Sequence, residues 1–235
     1  MIDVQRYARI TGILFLLSMV AGFFGEFYVP STIVVPGDAA ATAKNVADFN
    51  SMFRFGFAMY LVEAVCDIAL AWILYVLLRP VRKDLALLAA FFGLVSTAVF
   101  AGAELFFFAP TFILGNAALL EAFSPDQVSS LGLLSFRMYG YGVGIFMVFY
   151  GIATLIRGYL IYRSDYLPPA LGVLMMIAGT GFVIRNLVLV MAPAYVSHAF
   201  VFPMFLAAVA MTLWLLTKGI DKAKWEAVRS AAAET

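Results

Sequence analysis

Two residue types that build many active sites are almost missing: the 235-residue chain has one cysteine, Cys66, and one histidine, His198. A single cysteine excludes a disulfide framework and any cysteine-based metal centre. A single histidine excludes haem held by two histidines and leaves no ligand set for a His-rich zinc site. Charge is scarce as well, at 12% of residues against about 25% in soluble domains. The net charge of +1 supplies no basic surface for nucleic acid. No glycine-rich phosphate loop or dinucleotide fingerprint follows a strand, and no serine stands in a His-Asp pattern. No metal, cofactor or nucleic-acid partner is therefore expected.

What remains is apolar. Hydrophobic residues make up 64% of the chain and the mean hydropathy is +0.99, the composition of an integral membrane protein whose first partner is the lipid bilayer. Six runs approach or exceed the ~20 residues that cross a bilayer core: 10–28, 53–78, 85–109, 133–160, 169–191 and 198–217. The expected fold is an all-α bundle of six transmembrane helices forming a single transmembrane domain over 1–235, with a tail at 218–235. The first run, preceded by Arg6 and Arg9, has the flanks of a secretory signal, but it is longer than the ~7–15 residues of a signal core and reads as a span. Between the spans, Asp38 is placed to cap a short helix over Ala39–Phe49, and Ser124-Pro125-Asp126-Gln127 forms a capping box that opens another short lid or interface helix.

Eleven of the 15 Lys and Arg (Arg6, Arg9, Arg79, Arg82, Lys83, Arg157, Arg163, Lys218, Lys222, Lys224, Arg229) fall in the terminal segments and two tight turns with their flanking helix ends, and only Lys44 lies in the opposite loops. The positive-inside rule then puts both termini in the cytoplasm and 29–50 and 110–132 outside.

Three arginines and four carboxylates are left inside spans: Arg54, Arg137, Arg185, Glu26, Glu63, Asp67 and Glu104. In the second span, Gly56, Tyr60, Glu63, Asp67 and Ala71 fall on one line at 100° per residue, a small and polar stripe that must face protein or a cavity. An ionisable group in hydrocarbon costs at least about 2.5–3.5 kcal/mol, so such groups pair or mark sites. Arg54, Arg137, Glu26 and Glu104 read best as interfacial clamps of arginine on carboxylate. Glu63 and Asp67 are too short to reach the interface and read as functional. The candidate ligand-binding set is Glu63, Asp67, Glu104, Arg54, Arg137, Arg185, Asn186 and Tyr60. His198 reads as an interfacial helix-start residue. Tyr139 to Gly144 resembles the glycine-rich run of a potassium filter but lies within an apolar span, where Gly140, Gly144 and Gly151 fit close helix packing instead.

A weak internal repetition runs along the chain. Phe53-Arg54-Phe55-Gly56 returns as Phe136-Arg137-Met138-Tyr139-Gly140, and Gly22, Gly102 and Gly179 each precede a charge and then a Val-Pro or Ala-Pro step, at Pro30, Pro110 and Pro193. Three hairpins of one plan would give this pattern; so would chance in apolar sequence.

The stretches Arg9-Ile10-Thr11-Gly12, Gly37-Asp38-Ala39, Leu77-Leu78-Arg79-Pro80, Tyr139-Gly140-Tyr141-Gly142 and Gly158-Tyr159 through Leu174 resemble the bacterial membrane family catalogued as domain of unknown function 4386, over nearly the whole chain. The resemblance implies the six-span topology and a bacterial inner membrane location. It implies no activity. The family tends to carry histidines where this chain has Arg137 and near Ala153, so a metal or haem role cannot be carried over. The expected function is binding or passage of a small polar or amphipathic solute at an outward-facing intramembrane charged cluster. The alternatives are a membrane-embedded enzyme acting on a lipid-like substrate, which is less favoured, and a structural or partner subunit. Ligand identity and oligomeric state are not readable.

Overall fold

The computed structural model describes residues 3–197 and 201–232; the expected start of the last span at His198 lies outside them. Among the described residues every regular element is helical. In chain order these are α1 (Val4–Gly22), a π-helical segment (Phe23–Tyr28), α2 (Val29–Ile33), α3 (Ala39–Asp48), α4 (Asn50–Leu78), α5 (Lys83–Phe108), α6 (Pro110–Ile113), α7 (Ala117–Ala122), α8 (Pro125–Tyr162), α9 (Pro169–Met191), a 3-10 turn (Pro193–Tyr195), α10 (Val201–Thr217) and α11 (Lys222–Ala231). Among the described residues, five helical stretches are long and apolar enough to cross a membrane, and a sixth is reached when α10 is counted with α11, from which it is bent by 101°. The protein is an all-α integral membrane bundle.

Local chemistry explains most helix ends. Asp38 Oδ1 accepts from Ala41 N at 2.9 Å and caps α3. Ser124 and Gln127 exchange hydrogen bonds, Ser124 N to Gln127 Oε1 and Gln127 N to Ser124 Oγ, and close the capping box. The helix that follows is not a short lid. It runs unbroken for 38 residues to Tyr162, roughly 57 Å at ~1.5 Å per residue, because no proline interrupts it and Gly132 meets only the side chain of Leu114. Each of Pro30, Pro110 and Pro193 opens a short helical turn after α1, α5 and α9 respectively, the positions the repetition singles out.

The chain divides into two compact units: Met1–Leu16 with Cys66–Thr97 and Gly144–Thr235, here the terminal unit, and Leu17–Val65 with Ala98–Val143, the loop unit. Helices α1, α4, α5 and α8 contribute residues to both. Burial along α4 follows the stripe: Gly56, Tyr60 and Ala71 are buried and Glu63 and Asp67 half-buried, whereas Leu61, Val65, Ile68 and Trp72 stand exposed on the other face, as lipid contact requires.

In the terminal unit, α8 and α9 are antiparallel and meet along a glycine ladder. Gly158 faces Gly172, Gly151 faces Gly179, and Gly144 faces Asn186, with heptad spacing on both helices. An added Cβ at Gly172 would lie 2.5 Å from Tyr162 N and 2.6 Å from Gly158 O. Gly140, expected on this packing face, instead has nothing within 4 Å of an added Cβ, because the contacting stripe steps by seven and starts at Gly144. Lipid removes the hydrophobic drive between helices, so such close backbone approach is what holds them. Below the ladder, α10 ends at Gly219 (φ +72°), whose N–H joins that of Lys218 on Trp214 O. Gln5 locks this turn, donating to Lys218 O and accepting from Ile220 N.

Candidate functional site

The sequence candidates fall in two places. Tyr60, Glu63, Glu104, Arg54 and Arg137 belong to the loop unit; Asp67, Arg185 and Asn186 belong to the terminal unit.

Within the loop unit, the site grows from the π-helical segment. There the N–H of Val29 reaches back five residues to Phe24 O. In that register the next donor, for Gly25 O, would be residue 30, and Pro30 has no N–H. The carbonyl left over is taken by Tyr60, whose hydroxyl donates to Gly25 O at 2.8 Å. Small residues allow this approach: an added Cβ on Gly25 would meet Gly56 O at 3.2 Å, and one on Gly22 would sit 3.0 Å from both Glu63 carboxylate oxygens.

Tyr60 has a single hydroxyl hydrogen, spent on Gly25, so in its 2.9 Å contact with Tyr139 the donor is Tyr139. Both hydroxyl protons are thus committed to a chain that ends on a backbone carbonyl. Tyr60 is buried and packs edge-on against Phe100 and Phe107, which fix its ring. Glu104 is 4% exposed, and neither of its oxygens has a hydrogen-bond partner among the described residues. The charged group that acts on it is another carboxylate, Glu26 of the π segment, and Glu104 and Glu26 both act electrostatically on Tyr60 and Tyr139. The described surroundings are rich in acceptors and poor in free donors. Ionised, Glu104 lacks a donor among the described residues.

The arginines of this unit point elsewhere. Arg54 is exposed, donates from Nε to Asn50 Oδ1 at 2.8 Å and lies over the Phe108 ring at 5.7 Å. Arg137 is exposed on α8. In the terminal unit, Asn186 is buried and its hydrogen bonds are local: Nδ2 donates to Phe182 O and Oδ1 accepts from Arg185 Nη1. It serves as the last rung of the glycine ladder. Arg185 Nε is buried without a hydrogen-bond partner. Asp67 lines a small hollow with Phe15, Leu70, Gly93, Ser96, Thr97, Tyr150 and Arg157.

Sequence reasoning missed two members. Tyr139 was legible only as part of a Tyr-Gly run, although its position seven residues before Phe146 gives no hint of a hydroxyl partner. Arg157 reads as a helix-end cation, yet it is 5% exposed inside the terminal unit. One signal was present: Arg163, six residues on, already occupies the helix end, so a second arginine nearly two turns deeper has no interface to reach.

The chain matches over residues 10–219 the model of the family described as Domain of unknown function (DUF4386). An uncharacterized protein of Archaeoglobus fulgidus is 32% identical over 155 residues, which are 66% of this chain and 78% of that protein. No solved structure matches the chain.

Proposed function

The chain belongs to the DUF4386 family, and from that premise we propose that it binds a small polar solute carrying a cationic, hydrogen-bond-donating head at the Glu104–Tyr139–Tyr60 cluster of the loop unit. One observation carries the reading: a glutamate buried in a membrane bundle with both oxygens unpartnered, beside a second carboxylate, where the neighbouring hydroxyl protons are already spent. An ammonium or guanidinium head supplies the missing donors and the compensating charge together. The π segment supports it, since single π turns inside α-helices are frequent at functional sites. The basic residues at the chain ends and tight turns favour cytoplasmic termini, which would set this cluster in the outward half of a cell-membrane protein.

The test is thermal unfolding of the purified protein in neutral detergent with ammonium, choline, guanidinium and spermidine, against sodium at equal ionic strength. At least one donor cation should stabilise the wild type saturably, and Glu104→Gln, which keeps the shape and adds its own donor, should lose that response while remaining folded. No cation-specific shift in the wild type, or an undiminished shift in Glu104→Gln, overturns the reading.

A further inference from the structure

A second buried ion lies in the terminal unit, independent of the cluster above. Arg157 is at the penultimate turn of α8, and its guanidinium presses on the face of α5 at Gly93, where an added Cβ would fall 2.5 Å from Nη2. Glycine at this position is what admits the side chain. Arg157 is 5% exposed, and among the described residues it donates no hydrogen bond and forms no close ion pair. Asp67 and Tyr150 act on it electrostatically. Ser96 and Thr97 line the same small hollow as Arg157, and both hydroxyls donate to Gly93 O.

Arg157 borders two hollows. The smaller, about 10 Å³, has a mixed lining, Asp67, Ser96, Thr97 and Tyr150 with Phe15 and Leu70, and is the size of one water. The larger, about 50 Å³, is lined by Arg157, Tyr150 and Thr154 together with Phe15, Phe182 and three methionines, Met175, Met204 and Met211. At ~10–15 Å³ for one water, this larger hollow holds a handful of non-hydrogen atoms. Met204 and Ala208 are half-buried and carry its wall to the surface of the molecule. A guanidinium with no hydrogen-bond acceptor among the described residues, lining a largely apolar hollow, is a fork for one planar anion with a hydrocarbon tail.

We infer that the cavity at Arg157 is a binding site for an aliphatic carboxylate, its head on the guanidinium and its first methylenes among the methionines. One guanidinium can neutralise a monoanion but not a phosphate dianion, and Asp67, which acts on the same guanidinium, weakens the hold on either. The flexible methionine side chains adapt to tails of different shape. The carboxylate could come from water as a short-chain acid or from the bilayer as a fatty acid, and the chemistry at Arg157 is the same.

The experiment uses the full chain in maltoside detergent with hexanoate, and in nanodiscs with palmitate, measuring equilibrium binding and thermal shift, with hexanol and hexylammonium as controls. Saturable binding of hexanoate but not of the controls supports the site and a soluble source; binding of palmitate alone supports it with a bilayer source. Arg157→Gln should weaken binding at least tenfold. Asp67→Asn should tighten it several-fold, because a competing negative charge is gone, whereas a purely structural Arg157–Asp67 pair would show no change. Ala208→Leu, which fills the cavity and keeps the arginine, should abolish binding in a folded protein, so the result does not depend on Arg157→Gln folding. Failure of both carboxylates to bind the wild type, equal binding of hexylammonium, or unchanged binding in Ala208→Leu overturns the inference.

Discussion

Tyr166 and Trp225, 59 positions apart in sequence, donate to the same atom: Leu77 O accepts from the Tyr166 hydroxyl at 2.8 Å and from Trp225 Nε1 at 3.0 Å. Leu77 is in the last turn of α4, where carbonyls have no partner within the helix, and Arg79-Pro80 prevents the helix from continuing to supply one. The loop before α9 and the amphipathic α11 therefore cap α4 together. In α11 Trp225 is buried while Lys222, Lys224, Glu226 and Arg229 are exposed, so this helix is held by one aromatic anchor and lies across the end of the terminal unit as a surface element.

Tyr166 gives this cap a pH dependence. Burial pushes its phenol above the ordinary range, so the folded state holds the proton more tightly than the unfolded chain. The stability it contributes is complete below about pH 10, the unfolded tyrosine value, and is lost as pH rises from there through the folded value. Tyr166→Phe should cost about 1 kcal/mol at neutral pH, since Leu77 O keeps Trp225 as a donor. The variant should also lose part of the wild-type decline in unfolding temperature between about pH 10 and 11. Chemical or thermal unfolding in detergent across that range checks both; parallel pH curves for the two proteins would remove Tyr166 from the cap.

The glycine ladder predicts two opposite alanine substitutions on one helix pair. Gly172→Ala forces a methyl into the backbone of α8 and should destabilise by about 1–3 kcal/mol, the cost of overpacking. Gly140→Ala meets open space and should be neutral or stabilising by up to ~1 kcal/mol through helix propensity. Unfolding of both variants by denaturant titration measures the difference, and similar effects at the two sites would refute the ladder.

How much of this was readable from residues alone depends on the range of the interaction. The Asp38 and Ser124 caps and the buried stripe of α4 follow from residues within one or two turns of each other, and they appear where the sequence puts them. The extent of the helix that Ser124 opens was misjudged because a capping box fixes where a helix begins but says nothing about where it stops. The π register of 23–28 depends on a partner 35 residues away, since Tyr60 must be there to take Gly25 O; Pro30 alone does not announce it. Arg157 was misplaced because a long side chain near a helix end can turn toward water or toward the core, and the deciding glycine, Gly93, is on another helix.

Membrane orientation follows from charge and is open to labelling. In a Cys66→Ala background, an impermeant thiol reagent added to intact cells should modify a cysteine at Asp38, in the turn before α3, and should leave one at Lys222 untouched until the cells are opened. The reverse pattern would invert the protein and put the Glu104 cluster on the cytoplasmic side.

Pro30 links the backbone to the candidate site. Its missing N–H leaves Gly25 O for Tyr60, and Tyr60 in turn takes the proton of Tyr139. Restoring the donor with Pro30→Ala offers Gly25 O a backbone N–H, so Tyr60 loses its exclusive acceptor and one hydroxyl proton is released toward Glu104. Two consequences should appear together. Amides of residues 24–31 should exchange with deuterium more slowly than in the wild type, because a complete set of helical bonds replaces the π break. The cation-dependent thermal shift should shrink, because a released Tyr60 or Tyr139 proton now satisfies an oxygen that the solute's donor would otherwise occupy. Tyr60→Phe also frees the Tyr139 proton and should shrink the cation response, but it orphans Gly25 O and should cost about 1–3 kcal/mol of stability, a cost that Pro30→Ala does not carry. A Pro30→Ala protein with unchanged exchange and an unchanged cation response would show that the π segment and the carboxylate cluster are not coupled.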